Sequence, residues 1–155
     1  MHIRVSASVT GTVQELFSWW SDYTEGVVDD DSFTSVTRKI VSREGQRIVM
    51  EDHFTKPLRF TDRVVVTLRP PDVIEFSGES RIWRTRGIYT FTQKGEDVEA
   101  VSDIVLKPKG IWKFALGLMM LSGRLSKGFY DDLKGHLDEF AAERKKQALQ
   151  KVATA

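Results

Sequence analysis

Two aspartates stand where apolar side chains are the rule. Asp52 lies in M-E-D-H-F (50–54) and Asp62 in L-R-F-T-D-R-V-V-V (58–66), each in phase with hydrophobic residues at alternate positions. If these are strands joined over Thr55-Lys56-Pro57 with Phe54 opposite Leu58, one face carries Met50, Asp52, Phe54, Leu58, Phe60, Asp62, Val64 and Val66. The two carboxyls are then diagonal neighbours about 7–8 Å apart. Withdrawing a carboxylate from water raises its pKa, and a second carboxylate close by raises one of the pair further. Such a pair could serve as general acid and base, or hold a hydroxyl or carbonyl of a bound molecule. The competing reading is structural: one strand runs out of phase, or Lys39 or an arginine neutralises the pair.

Other chemistries have thinner support. The chain has no cysteine, which excludes disulfides, thiolate metal sites and thiol nucleophiles. It contains neither G-x-x-x-x-G-K-[ST] nor G-x-G-x-x-G, and Gly123 to Gly128 falls inside a helical pattern, so no phosphate loop is expected. No serine sits in a G-x-S-x-G turn. His136 has Asp132 and Glu139 on its own helix face, a spacing that could hold a metal, but the face is more simply a solvated surface. His53 takes the outward phase of its strand and His2 is terminal, so no metal and no cofactor is assigned. Arg59, Arg63, Arg84 and Arg86 share an outward phase and could meet RNA or anionic lipid. With 23 basic against 22 acidic residues and a net charge of +1, no nucleic-acid partner is expected.

The elements that must position these groups can be read from periodicity. Residues 3–9, I-R-V-S-A-S-V, alternate as a half-buried strand. Thr12 and Glu15 fit a capping box, and Val13, Leu16, Phe17 and Trp20 follow at helical spacing to about residue 22. After a loop over 23–31, strands are expected near 32–42, 46–54, 58–68, 73–80, 82–93 and 97–107, with the boundary near 78–81 the least defined. Turns fall at Glu44-Gly45, Lys56-Pro57, Pro70-Pro71-Asp72 and Lys94 to Asp97. Short turns make antiparallel neighbours. Leu118, Leu121, Leu125, Phe129, Leu133, Leu137 and Phe140 then mark one helix over 113–147, roughly 50 Å long. Gly117 and Gly123 each weaken a helix by about 1 kcal/mol relative to Ala and point to a bend or a close approach. The tail, about 148–155, loses the stripe and is expected to fray.

At 155 residues the chain is expected to be a single domain over 1–155. It is α+β, a seven-stranded curved antiparallel sheet around a long C-terminal helix in the order β-α-β6-α. The N-terminus lacks the apolar run of a signal peptide, and Ile111–Leu121 is about half a membrane span, so a cytoplasmic protein is expected.

This layout resembles a known superfamily. The opening strand, T-x-x-E-L-F-x-W-W-S-D at 12–22, the six-strand meander, the hairpin of Gly87 to Phe91 with Val98 to Leu106, and the long last helix are similar to the START-like (SRPBCC) proteins. These include the birch-pollen-allergen fold, lipid-transport proteins and polyketide cyclase/dehydrase-like proteins. The resemblance implies a helix-grip fold enclosing a cavity for an apolar small molecule. It also implies an entrance where the last helix meets the sheet, which puts Trp112 and Phe114 at the mouth. Small residues on one hairpin face, Thr85, Gly87, Ala100 and Ser102, are hard to pack to native density under a curved sheet and favour a void there.

Three readings follow. The first is a binder or carrier of a lipid, quinone or aromatic polyketide-like molecule. Its walls would be Met50, Phe54, Phe60, Val64, Phe76, Trp83 and Tyr89, closed by Leu118, Leu121, Leu125 and Phe129, with Asp52, Asp62 and Tyr89 for orientation. The second is a cyclase or dehydratase in which Asp52 and Asp62 move protons. The third is an interaction or chaperone-like module using the apolar segment 111–121, which could also touch a membrane surface or pair two copies, leaving monomer and homodimer both open.

Overall fold

The computed structural model describes residues 1–30, 35–56 and 58–153. Strand β1 (His2–Thr10) leads into helix α1 (Val13–Trp20), and a short strand β2 (Gly26–Asp30) follows. Six further strands run in sequence: β3 (Ser35–Glu44), β4 (Arg47–Lys56), β5 (Phe60–Arg69), β6 (Val73–Glu79), β7 (Trp83–Lys94) and β8 (Asp97–Pro108). Helices α2 (Trp112–Leu121) and α3 (Arg124–Ala153) close the chain.

All neighbouring strands are antiparallel, in the order β1-β8-β7-β6-β5-β4-β3-β2. Short turns produce this order directly: β3 to β8 form a meander, and β1 returns to pair with β8 through Val5↔Ser102 and Ala7↔Ala100. The sheet thus has eight strands among the described residues, one more than expected. The addition is β2, in a stretch expected to be loop. Its Val27 is largely exposed, so its pairing with β3 gives no buried alternation for a sequence pattern to register.

Two registers also differ from expectation. Phe54 faces Phe60 rather than Leu58, and Phe91 faces Ala100 rather than Val98. Both are slips of two residues, so every side chain keeps its face. One consequence is that Asp52 and Asp62 are direct partners, not diagonal ones. Residues 32–34 of the strand expected over 32–42, and Pro57 of the expected Lys56-Pro57 turn, lie outside the described residues.

Helix α1 begins as its capping box requires. The Thr12 hydroxyl accepts from the Glu15 amide at 3.2 Å, and the Glu15 carboxylate accepts from the Thr12 amide at 2.9 Å. The expected helix over 113–147 is two helices. Gly123 takes φ +72°, a conformation open to glycine but costly to L side chains, and ends α2; α3 starts at the next residue. The helical stretch also ends later than expected, since α3 runs to Ala153, while residues 154–155 lie outside the description.

The core has two parts. Leu133, Leu137 and Phe140 of α3 pack with Leu16 and Phe17 of α1 onto Ile48, Met50, Val66, Ile74, Phe91 and Val98 of the sheet. A smaller cluster joins Ile3, Leu106, Leu116 and Leu125, with Trp83, Trp112 and Phe129 against it. Gly87 does not leave a void as its size suggests: the Phe76 ring lies over it, where an added Cβ would come within 2.3 Å. Ala100 and Ser102 are buried as well. The space under the sheet spans β3 to β8, and of the four small residues only Thr85 lines it.

Candidate functional site

That space is a cavity of about 670 Å³ between the concave sheet face, α1 and the two last helices. It falls within the range usual for small-molecule sites. Met50, Asp52, Asp62, Val64, Val66, Phe76, Trp83, Thr85, Tyr89 and Leu106 line it from the sheet. Leu116 comes from α2, Leu125, Phe129 and His136 from α3, and Trp19 and Trp20 from α1. Aromatic contacts stiffen the wall. Tyr89 stacks on Phe76 at 5.2 Å, and Trp20 lies 5.0 Å from Tyr89 and 5.6 Å from Phe91.

The polar groups form one row across three strands. Arg38 on β3 faces Asp52 on β4, which faces Asp62 on β5. Arg38 donates to both carboxylate oxygens of Asp52, from Nε at 2.7 Å and from Nη2 at 2.8 Å. This is a bidentate pair, short and charge-assisted. Burial opposes the Arg38 charge, but the hydrogen bonds and charge of Asp52 outweigh it and hold the guanidinium above its ordinary pKa. Arg38 also lies over the Tyr23 ring at 5.5 Å, and burial pushes the Tyr23 hydroxyl up to about 12. Arg43 donates to the Tyr23 carbonyl at 2.7 Å, tying the segment after α1 to the sheet.

Asp62 is placed differently. It is as buried as Asp52, 7% exposed against 8%, yet no cation among the described residues touches it. Its Oδ2 accepts from Trp83 Nε1 at 2.9 Å, and its Oδ1 is buried with no hydrogen-bond partner among the described residues. Burial pushes its carboxyl above the usual carboxylate range; the Trp83 bond pulls it down and the charge of Asp52 pushes it further up. Gly78 makes room for this carboxylate, since a Cβ there would sit 3.1 Å from both oxygens. Tyr89 and Thr85 add hydroxyls to the sheet side of the wall, and burial raises the pKa of the Tyr89 hydroxyl.

The structure brings together most of the residues singled out in the sequence: Met50, Asp52, Asp62, Val64, Phe76, Trp83, Tyr89, Leu125 and Phe129 all line the cavity. It separates the others. Phe54 and Phe60 stack on each other at 4.3 Å, with Phe60 against Trp83 at 5.2 Å; they share the concave face but do not line the cavity. Leu118 and Leu121 do not close the cavity; they are 70% and 88% exposed, because α2 turns its Leu116 face inward. Trp112 is packed in the smaller core cluster and Phe114 points to solvent, so neither rims the opening. The exposed lining residues are Asp22, Thr24, His136, Glu139 and Glu143, which put the mouth between the end of α1 and the middle of α3.

Arg38 is the functional residue that sequence reasoning does not single out. It lies in phase with Val36 and Ile40, and that in-phase position is the same signal that marks the aspartates. His136 packs against Trp19 and Trp20 at 6.5 and 5.2 Å, and among the described residues no group of three or more His, Asp or Glu could hold a metal. On the outer sheet face a second depression, about 700 Å³, runs between Arg63, Arg84, Arg86 and Lys107. Arg84 there is paired with Glu79 at 2.7 Å. No helix among the described residues is long and apolar enough to cross a membrane.

An eight-stranded antiparallel sheet curled round a long C-terminal helix, with α1 across the open side, is the helix-grip fold of the START-like proteins. Solved structures share it. A protein from Thermus thermophilus aligns with TM-score 0.72 and 14% identity over 92% of this chain and 99% of its own. The Zhui aromatase/cyclase from Streptomyces sp. R1128 aligns with TM-score 0.68 and 18% identity over 90% of this chain and 93% of its own. The di-domain ARO/CYC StfQ from the steffimycin biosynthetic pathway aligns with TM-score 0.65 and 17% identity over 94% of this chain, which spans 53% of that longer protein. No family model and no curated protein matches the sequence.

Proposed function

We propose that the protein binds a neutral, largely apolar aromatic molecule bearing at least one hydroxyl. The observation that carries this reading is the Asp62 Oδ1 atom, buried without a partner among the described residues, beside a cavity lined mainly by aromatic and aliphatic side chains. A buried polar atom left unsatisfied is costly, and a turn of the carboxylate toward the cavity would let a ligand O–H supply the missing bond. Phe76, Tyr89 and Trp20 offer ring faces for a flat guest. Asp22, Glu139 and Glu143 around the mouth disfavour an anionic one.

Quenching of tryptophan fluorescence by 2-naphthol tests the idea, since Trp20 and Trp83 line the cavity. Saturable quenching is expected, weakened about tenfold in Asp62→Leu, in keeping with the loss of one hydrogen bond to a charged group. No saturation, or equal affinity in the variant, contradicts it.

A second reading is favoured by the raised pKa of Asp62 and by the aromatase/cyclase names of two structural neighbours. In this cyclase- or dehydratase-type reading, Asp62 passes a proton to or from an oxygen of the bound molecule. Asp52 contributes through its charge, because both of its oxygens are already engaged by Arg38. Turnover lost in Asp62→Asn with binding retained would select this reading.

A further inference from the structure

Helix α2 buries one face and leaves the opposite one bare. Leu116 packs into the smaller core cluster. About 180° round the helix, Ile111, Phe114, Leu118 and Leu121 form a stripe at spacings of three, four and three, with Ile111 and Phe114 78% and 84% exposed. Large apolar side chains so exposed and so aligned mark a contact surface rather than scattered surface residues. Charge around the stripe says what would cover it. From Ile104 to Tyr130 the sequence holds Lys107, Lys109, Lys113, Arg124 and Lys127 and no Asp or Glu. Lys109 is paired with Glu79 and Lys127 with Asp131, while Lys107, Lys113 and Arg124 have no carboxylate partner among the described residues.

The same end of the molecule carries two more cations. Arg81, in the β6–β7 turn, donates to the carbonyl of Arg59 in the β4–β5 turn, and the Lys109 amide donates to the carbonyl of Ile82. Both turns therefore lie beside the start of α2.

We propose that this end, with the α2 stripe at its centre, docks on an anionic bilayer surface. An apolar helix face flanked by cations, lying along the surface rather than spanning it, is what an interfacial helix requires. Phe, Leu and Ile enter the acyl boundary while Lys113 and Arg124 stay at headgroup level. A second copy of the chain is a poorer occupant, because a two-fold contact through this stripe would set the same unpaired cations against themselves.

The test is cosedimentation of the full chain with phosphatidylcholine vesicles and with vesicles of phosphatidylcholine and phosphatidylglycerol at 7:3, in low and high salt. Binding is expected to the anionic vesicles only and to fall with salt. It should drop at least tenfold in Lys113→Glu/Arg124→Glu, each cation near an anionic surface being worth about fivefold. In Leu118→Asp it should be lost. Leu118 is exposed, so this variant should keep the wild-type circular dichroism spectrum; if it does not fold, the double charge variant decides. Three results would overturn the proposal: no partition of the wild type into anionic vesicles, binding unchanged in the double charge variant, or a concentration-dependent dimer, seen by sedimentation equilibrium, that Leu118→Asp abolishes in the absence of lipid. The 2-naphthol titration does not involve this face, so either result can fail without the other.

Discussion

Asp52 and Asp62 face each other on adjacent strands and are almost equally buried, yet they sit in different chemistry. Asp52 has both oxygens held by Arg38, so its charge is compensated and its hydrogen-bonding capacity largely used. Among the described residues Asp62 has one neutral donor, Trp83, and one oxygen left over. A paired buried carboxylate is a structural tie. An under-satisfied one beside a cavity is a binding group waiting for a partner. Position and residue type are the same in both; what separates them is the cation on one side and the indole on the other.

The largest way to break this contrast is Arg38→Ala. It leaves Asp52 buried and unpaired and should cost about 3–5 kcal/mol in urea unfolding at pH 7. Most of that should return in Arg38→Met/Asp52→Leu, and a double variant no better than the single one would refute the tie. Asp52→Asn, which keeps the shape and removes the charge, should cost about 2 kcal/mol. Trp83→Phe removes the one donor to Asp62 among the described residues. A cost of about 1 kcal/mol is expected at pH 7, shrinking as Asp62 is protonated in acid.

The smallest effect carries the clearest sign. Burial raises the folded pKa of Asp62 above its unfolded value near 3.8. The folded state therefore holds this proton more tightly than the unfolded one. The stability that follows is present below that value and is lost as pH rises through the folded pKa. Asp62→Asn should accordingly gain on the wild type as pH is raised from about 3 to about 7 in urea titrations. A variant that loses ground over this range would mean that Asp62 is paired after all.

How much of this is legible in the sequence differs between the meander and the end of the chain. The alternation that puts Asp52, Asp62, Phe76 and Tyr89 on the concave face survives two register errors, since both are slips of two residues. The Thr12–Glu15 capping box is likewise readable, being local chemistry that burial does not alter. Helical spacing from Leu118 to Phe140 does reveal an apolar stripe, but spacing cannot say what covers it. After Gly123 the stripe meets the sheet at Leu133, Leu137 and Phe140; before it, Leu118 and Leu121 meet solvent. Gly123 is a visible weak point in the helical pattern, though its positive φ, which divides the helix, belongs to the folded backbone. Arg38 escapes because arginines are read from the sequence as an outward basic patch or as an unnumbered neutraliser of the aspartates, although its place on the alternation with Val36 and Ile40 matches that of the aspartates.

The account rests on a guest in the cavity, and native mass spectrometry of the protein purified from its own host tests that most directly, with Val64→Trp as the comparison. Val64 lines the cavity close to Asp62, and an indole there should occupy the space a ligand needs. An apolar mass should accompany the wild type and be absent from the folded variant. A wild-type protein that is always found empty, or a mass retained equally in both, would contradict it.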